Sequence, residues 1–210
     1  MVSAQPIIIP AILTDSESDF QQKITVIAEF SSIVHIDILD NTLVSGQTID
    51  LGIALRHQPI NLKYEFHFMT KEPLESARQV LSAGAVRAIV HAEAFGGQDL
   101  SSFMNEYVFA FNPETELEIY QNYSFSKLML MSVHPGAQGQ SFIPETITKI
   151  HQCRSLFAGA EIEIDGGIKP ENLSAVAEAG ANRFVMGSAI IGASDPAGVY
   201  RACIQLTQKE

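Results

Sequence analysis

Eight short runs rich in apolar and β-branched residues recur along the chain, at Ile7–Leu13, Ile33–Leu39, Tyr64–Met69, Ala88–Ala92, Tyr107–Asn112, Lys127–Val133, Glu161–Asp165 and Arg183–Gly187. Each has the length of a strand buried in a sheet, and segments with helical spacing or helix-start signals separate them. Ser16-Glu17-Ser18-Asp19 before Phe20 reads as a helix start, as do the proline-led segments at Pro73, Pro113, Pro144 and Pro170. Proline suits a first helical position, and acidic residues suit the positive end of the helix dipole. Ala83-Gly84-Ala85 and Ala179-Gly180-Ala181 read as stops just before new strands. Strand and helix alternating in this way imply a parallel sheet. Eight units in 210 residues average about 26 residues each, close to the minimum for a (β/α)₈ barrel. A doubly wound open sheet is the alternative. The barrel is preferred because polar residues gather at the C-terminal ends of most strands, where such a barrel builds its site. The connection from Ala94 to Glu106 is brief, so the fourth helix is expected to be stunted, around Leu100–Asn105. No linker or low-complexity stretch interrupts the pattern, and residues 1–210 are expected to form one α/β domain, a single-domain (β/α)₈ TIM barrel.

The chain carries 13 basic and 24 acidic residues, a formal net charge of −11. That balance argues against a nucleic-acid partner, which needs a cationic footprint, and against anionic membranes. An anionic substrate would therefore need a local binding pocket. Cys153 and Cys203 are the only cysteines, far apart and each in a helical segment, as free thiols of a reducing compartment would be. The apolar run at the start is broken by Pro10 and lacks a basic region before it, so it fails as a signal peptide. No apolar stretch reaches the length of a membrane span. A cytoplasmic location is expected.

Val34-His35-Ile36-Asp37-Ile38-Leu39-Asp40 sets a histidine and a carboxylate two positions apart inside an otherwise apolar strand. Alternation aims His35 and Asp37 at the same face, roughly 7 Å apart along the backbone. A buried carboxylate needs a cation or a metal beside it. His67 on the third strand and Asp165 at the end of the seventh complete a set of two imidazoles and two carboxylates. In a closed barrel the four can converge, and the donor set suits Zn²⁺ first, with Fe²⁺, Mn²⁺ or Co²⁺ also compatible. Taken singly, each histidine reads more readily as a bonded core residue and each aspartate as a turn former.

Gly166-Gly167 and Gly187-Ser188 follow consecutive strands and leave backbone N–H groups open to an anion, where barrel enzymes often place a phosphate. The glycine-rich stretch Met131 to Phe142 reads as a surface loop in the position of a lid. His134 within it is expected to be exposed, as are His57 and His151. His91 is expected to line the barrel as a structural hydrogen-bonding group, and Asp40 to shape a turn with Asn41.

These residues resemble the ribulose-phosphate 3-epimerase family. The resemblance rests on His35-Ile36-Asp37-Ile38-Leu39-Asp40, His67-Phe68-Met69 followed by Glu72-Pro73, Val90-His91-Ala92-Glu93-Ala94, Asn112-Pro113-Glu114-Thr115, Met131-Ser132-Val133-His134-Pro135-Gly136, Gly139-Gln140-Ser141-Phe142, Ile164-Asp165-Gly166-Gly167-Ile168 and Gly187-Ser188-Ala189, in order over nearly the whole chain. It implies a metal-dependent barrel of the ribulose-phosphate-binding type, acting as a carbohydrate isomerase of the pentose phosphate pathway. It further implies one divalent metal ion on His35, Asp37, His67 and Asp165, with Asp37 and Asp165 also the catalytic acid/base pair. Substrate and phosphate contacts are implied for His67, Gly136, Gly139, Gly166, Gly167, Gly187 and Ser188, and an apolar wall for Leu39, Met69 and Met131. The implied partner is a phosphorylated ketose, D-ribulose 5-phosphate converted to D-xylulose 5-phosphate by inversion at C3.

The chain departs from the family pattern at several points. Ala11 stands where the first strand of the family carries a substrate-contacting serine, and Leu39 replaces a third wall methionine. Asn41-Thr42-Leu43-Val44-Ser45-Gly46 replaces a Phe-Val-Pro-Asn loop, and Ala137-Gln138 replace an aromatic residue and a glycine. These changes border the sugar chain and keep two other readings open. One is a hexulose-6-phosphate (allulose-6-phosphate) 3-epimerase, the other a catalytically silent phosphosugar-binding barrel. A homo-oligomer is compatible with the sequence, which does not set its symmetry.

Overall fold

The computed structural model describes residues 5–137 and 139–208. Eight parallel strands close into a barrel in sequence order: β1 Ile7–Ile12, β2 Ile33–Leu39, β3 Lys63–Met69, β4 Arg87–His91, β5 Val108–Phe111, β6 Lys127–Met131, β7 Glu161–Asp165 and β8 Arg183–Met186. The closing pair is β8 on β1, with Ile8 beside Phe184 and Pro10 beside Met186. The open doubly wound sheet is thereby excluded. Each strand ends within two residues of its expected bounds.

Strand parity divides the buried apolar residues into two groups. Val34, Ile36, Phe66, Phe68, Val90, Phe109, Leu130, Ile164 and Phe184 face outward into a large core beneath the helices. Ala11, Ile89, Val108, Ala110, Met129, Met131, Val133 and Val185 face the barrel interior. Successive strand residues alternate between these environments, so strands wet on neither face read as nearly continuous apolar runs.

The helices are α1 Glu17–Ala28, α2 Leu51–Arg56, α3 Leu74–Ser82, α4 Thr146–Leu156, α5 Pro170–Glu178, α6 Ser188–Ile191 and α7 Pro196–Thr207. In α1, Ser16 caps the amide of Asp19, and Phe20, Ile24 and Ile27 form the buried stripe. Cys153 and Cys203 lie buried and unbridged in α4 and α7, as expected.

Two expected helices are absent. The segment around Leu100–Asn105 forms hydrogen-bonded turns, preceded by a 3₁₀ turn at Ala92–Phe95. Gly96 and Gly97 hold φ of 57° and 84° there, which stops helix propagation. Packing of Phe95, Phe103 and Tyr107 covers the strands in place of a helix. After Pro113 only the 3₁₀ turn Leu117–Tyr120 forms. Lys149 of α4 donates to the carbonyls of Asn112, Pro113 and Thr115 at 2.5, 3.0 and 2.7 Å, satisfying acceptors that a helix would have bonded internally. No helix among the described residues is long and apolar enough to cross a membrane.

Candidate functional site

Strand register builds the site. Across β2 and β3, Asp37 pairs with His67 and His35 with Glu65; across β6 and β7, Met131 pairs with Asp165. His35 and Asp37 point to the same interior, as parity requires. His67 Nδ1 stands 3.1 Å from Asp37 Oδ1 and 3.4 Å from Asp165 Oδ2, and His35 Nε2 is 3.4 Å from Asp37 Oδ1. One donor atom from each of the four residues lies within 4.8 Å of all the others. Both histidines are wholly buried, while the Asp165 carboxylate keeps 14% of its surface open.

His35 Nε2 is buried and has no hydrogen-bond partner. A buried ring nitrogen without a partner beside two carboxylates and a second imidazole is what a divalent cation would satisfy, and the mixed nitrogen and oxygen set fits one. Without an ion, burial disfavours a charge on either imidazole. Asp37 and Glu65 outweigh it at His35, and Asp165 and Asp37 at His67, so both bases are raised above their ordinary value. Burial alone would raise Asp37, but hydrogen bonds and charge from His35 and His67 hold it well below the usual carboxylate range.

Asp37 and Asp165 reach a cleft at the C-terminal end of the barrel, and His35 and His67 lie fully buried behind them. Met69, Met131, Val133 and Val185 line it with apolar surface, and Ala11 lines it on β1. Gly136, Gly139, Gly166, Gly167, Gly187 and Ser188 all reach the same cleft. Gly167 adopts φ of 64°, and a Cβ there would lie 2.5 Å from the Phe142 amide nitrogen; one on Gly166 would lie 2.3 Å from Val133 Cγ2. The absence of side chains at these two positions lets the loops after β6 and β7 meet, leaving backbone beside the cleft. Lys169 is the one cationic side chain lining the cleft among the described residues.

Leu39 stands apart from the expected wall. It is buried, absent from the cleft lining, and packs its Cδ2 where a Cβ on Gly46 would approach. Gln138 lies outside the described residues, so of the altered pair only Ala137 is placed, at the cleft. His134 is exposed and pairs with Glu114, His151 is exposed, and His57 is half-buried between Glu17 and Gln21. Asp40 accepts from the Thr42 amide beside Asn41, which holds φ of 62°.

Two groups stand behind the histidines, His91, expected as a structural hydrogen-bonding group, and Glu65, which no sequence motif marked. His91 is fully buried and stacks on His67 with 2.9 Å between their Nε2 atoms, and Glu93 lies 3.3 Å from its other nitrogen. Glu65 lies 2.8 Å from His35 Nδ1. Glu65 sits two residues before His67 and Glu163 two before Asp165. The parity that aimed His35 and Asp37 together therefore also aimed these carboxylates inward.

The ribulose-phosphate 3 epimerase family model matches residues 7–191. A ribulose-phosphate 3-epimerase of Serratia marcescens is 36% identical over 90% of this chain and 97% of its own. That of Escherichia coli K12 is 35% identical over 91% of each, and that of Mycobacterium leprae 32% identical over 94% of this chain and 93% of its own. Among solved structures, orotidine 5′-phosphate decarboxylase from Pyrococcus horikoshii superposes with a TM-score of 0.68 at 16% identity, covering 97% of this chain and 100% of its own. 3-Hexulose-6-phosphate synthase from Salmonella typhimurium gives 0.67 at 16%, covering 96% and 98%. At such identities these structures share the fold alone. The match along 7–191, the relatives above 30% identity and the barrel with its inward histidines and aspartates lead to one conclusion: the chain belongs to the ribulose-phosphate 3-epimerase family.

Proposed function

We propose that the protein inverts C3 of a ketose phosphate, D-ribulose 5-phosphate to D-xylulose 5-phosphate, using one divalent metal ion on His35, Asp37, His67 and Asp165. The carrying observation is that the Asp37 and Asp165 carboxylates line a single cleft and converge on His67 Nδ1 behind it. Inversion beside a ketone needs a proton removed from one face and another delivered to the opposite face. One carboxylate, ionised, accepts the C3 proton; the other, protonated, donates to the second face of the planar enediolate. The roles exchange after each turnover, so the pair serves both directions.

A divalent ion bound by these four residues would act as a Lewis acid toward the ketone and stabilise negative charge as the proton leaves. Zn²⁺ suits the donors best, and Fe²⁺, Mn²⁺ and Co²⁺ remain compatible. Met69 and Met131, with Val133 and Val185, exclude water from the intermediate and strengthen every electrostatic contact within. The amides of Gly136, Gly139, Gly166, Gly167, Gly187 and Ser188 offer donors to the phosphate, and Lys169 adds the local positive charge that a chain of net −11 otherwise lacks. The two buried free thiols suit a reducing, cytoplasmic compartment.

The reading is tested by incubating metal-loaded protein separately with D-ribulose 5-phosphate and D-allulose 6-phosphate and following both epimers chromatographically. Faster conversion of the pentulose supports it. Preference for the hexulose moves the substrate, and turnover of neither supports a silent phosphosugar-binding barrel.

A further inference from the structure

The proposed chemistry leaves unused a second polar layer of the barrel interior. Register sets Glu65 beside His35 and Arg87, and Glu163 beside Arg183. Glu65 is fully buried with both oxygens engaged. Its Oε1 faces His35 Nδ1 at 2.8 Å, and its Oε2 accepts from Arg183 Nη2. Arg183, 3% exposed, also donates from Nε to Glu163 Oε2 at 2.6 Å, and Arg87 contributes a longer contact of 3.4 Å to the same oxygen. Glu65 and Arg183 belong to β3 and β8, which are not neighbours in the barrel, so their pairing spans the interior.

We propose that Glu65, clamped by Arg183, is a positioning residue that fixes His35 in its Nδ1–H tautomer and aims the Nε2 lone pair at the metal. The inference deepens the metal reading above and rests on it. A neutral imidazole carries one N–H, and the acceptor it meets decides which nitrogen bears it. An ionised carboxylate accepts only, so in the neutral ring Glu65 holds the proton on Nδ1, and Nε2, which has no hydrogen-bond partner and faces Asp37, is the nitrogen left for the metal. An anionic partner also makes the opposite nitrogen more basic and the ring a stronger donor. Arg183, on the oxygen opposite the ring, fixes the plane of the Glu65 carboxylate and keeps Oε1 directed at Nδ1. His67 has a different support, the ring of His91 in place of a carboxylate, so the two imidazoles are unequal donors.

The test uses full-length metal-free protein and Zn²⁺ as the probe, with affinity measured by competition against a chromophoric chelator. Glu65→Gln keeps the volume but can turn an amide N–H toward Nδ1. Glu65→Gln combined with Arg183→Met removes the clamp without stranding a cation, and serves if the single variant fails to fold. Circular dichroism and Tm of the metal-free proteins report folding independently. In folded variants the dissociation constant for Zn²⁺ is expected to rise about 10- to 100-fold. The hydrogen-bonded Nδ1 proton of His35, seen by proton–nitrogen NMR in zinc-loaded wild-type protein, is expected to be lost. Wild-type affinity in a folded variant with the Nδ1 proton retained would overturn the role of Glu65 while leaving the metal reading intact. Failure of wild-type protein itself to bind Zn²⁺ would instead remove the metal reading, and this inference with it.

Discussion

Asp37 Oδ1 lies 3.1 Å from His67 Nδ1 because the two residues are register partners across β2 and β3, while Asp165 approaches the same nitrogen from β7 at 3.4 Å. One imidazole thus holds together two carboxylates from opposite parts of the barrel. Neighbouring strands supply the first contact and barrel closure the second, so the pair exists only in the folded protein.

Asp165→Asn preserves size while removing a proton carrier and a ligand charge. Turnover of D-ribulose 5-phosphate should fall by about 10²- to 10⁴-fold or more, the range lost with a positioned acid or base. Because the Asp165 side chain is partly open to the cleft, the variant should keep its fold by circular dichroism. Near-normal kcat in the folded variant would remove Asp165 from the mechanism.

Ala11 pairs with His35 across β1 and β2 and lines the cleft, in the place where a hydroxyl is expected from the family pattern. Ala11→Ser should raise kcat/KM on ribulose 5-phosphate by about threefold to tenfold, the worth of one ordinary hydrogen bond. A fall on this sugar, with a gain on none, would show that the surrounding site has been rebuilt around the alanine.

Gly167 sits in the left-handed region with the Phe142 amide against its missing side chain. Gly167→Ala combines a disfavoured φ with a backbone collision and should lower Tm by about 4–12 °C. The displaced loop should raise KM more than it lowers kcat, since the chemistry lies on other residues. Steady-state kinetics showing the reverse pattern would detach this glycine from phosphate binding.

The pH dependence of stability should change with metal loading. In metal-free protein His35 and His67 are raised above their ordinary 6.5 by the carboxylates around them, against the effect of burial. Their contribution is fully present below 6.5 and is lost as pH rises through the raised folded values. Glu163, raised by burial and by Glu65, acts in the same direction, while His91, lowered by burial, costs stability only below pH 6.5. Metal-free Tm should therefore decline from pH 6.5 into the alkaline range. Metal needs neutral imidazoles, so stabilisation by metal should grow over that same range. Thermal melts with and without chelator from pH 6 to 9 check both slopes, and parallel curves would contradict them.

Much of this arrangement was legible in the chain. Alternation in Val34–Leu39 aimed His35 and Asp37 together, and the eight-fold recurrence of apolar runs implied closure. The sequence signals failed where tertiary contacts replaced local ones. Pro113-Glu114-Thr115 carries a helix-start signal, yet Lys149, far along the chain, takes the carbonyls of that segment. The Gly96-Gly97 pair ended the turn after β4 before a helix could grow. The family resemblance implied Leu39 as cleft wall, but the loop carrying Gly46 packs against it and it is absent from the cleft lining. Glu65 and Arg183 are 118 positions apart, and only closure of the barrel brings them together. Parity could have marked each as inward-facing, but it could not have paired them.

The central claim is proton transfer at C3 between solvent-exchanging carboxylates, and proton NMR in D₂O observes it directly. Metal-loaded protein given D-ribulose 5-phosphate should form D-xylulose 5-phosphate carrying deuterium at C3, and the Asp37→Asn/Asp165→Asn double variant should form neither. Epimer formed without C3 deuterium, or no exchange at all in wild-type protein shown to contain metal, would contradict the account.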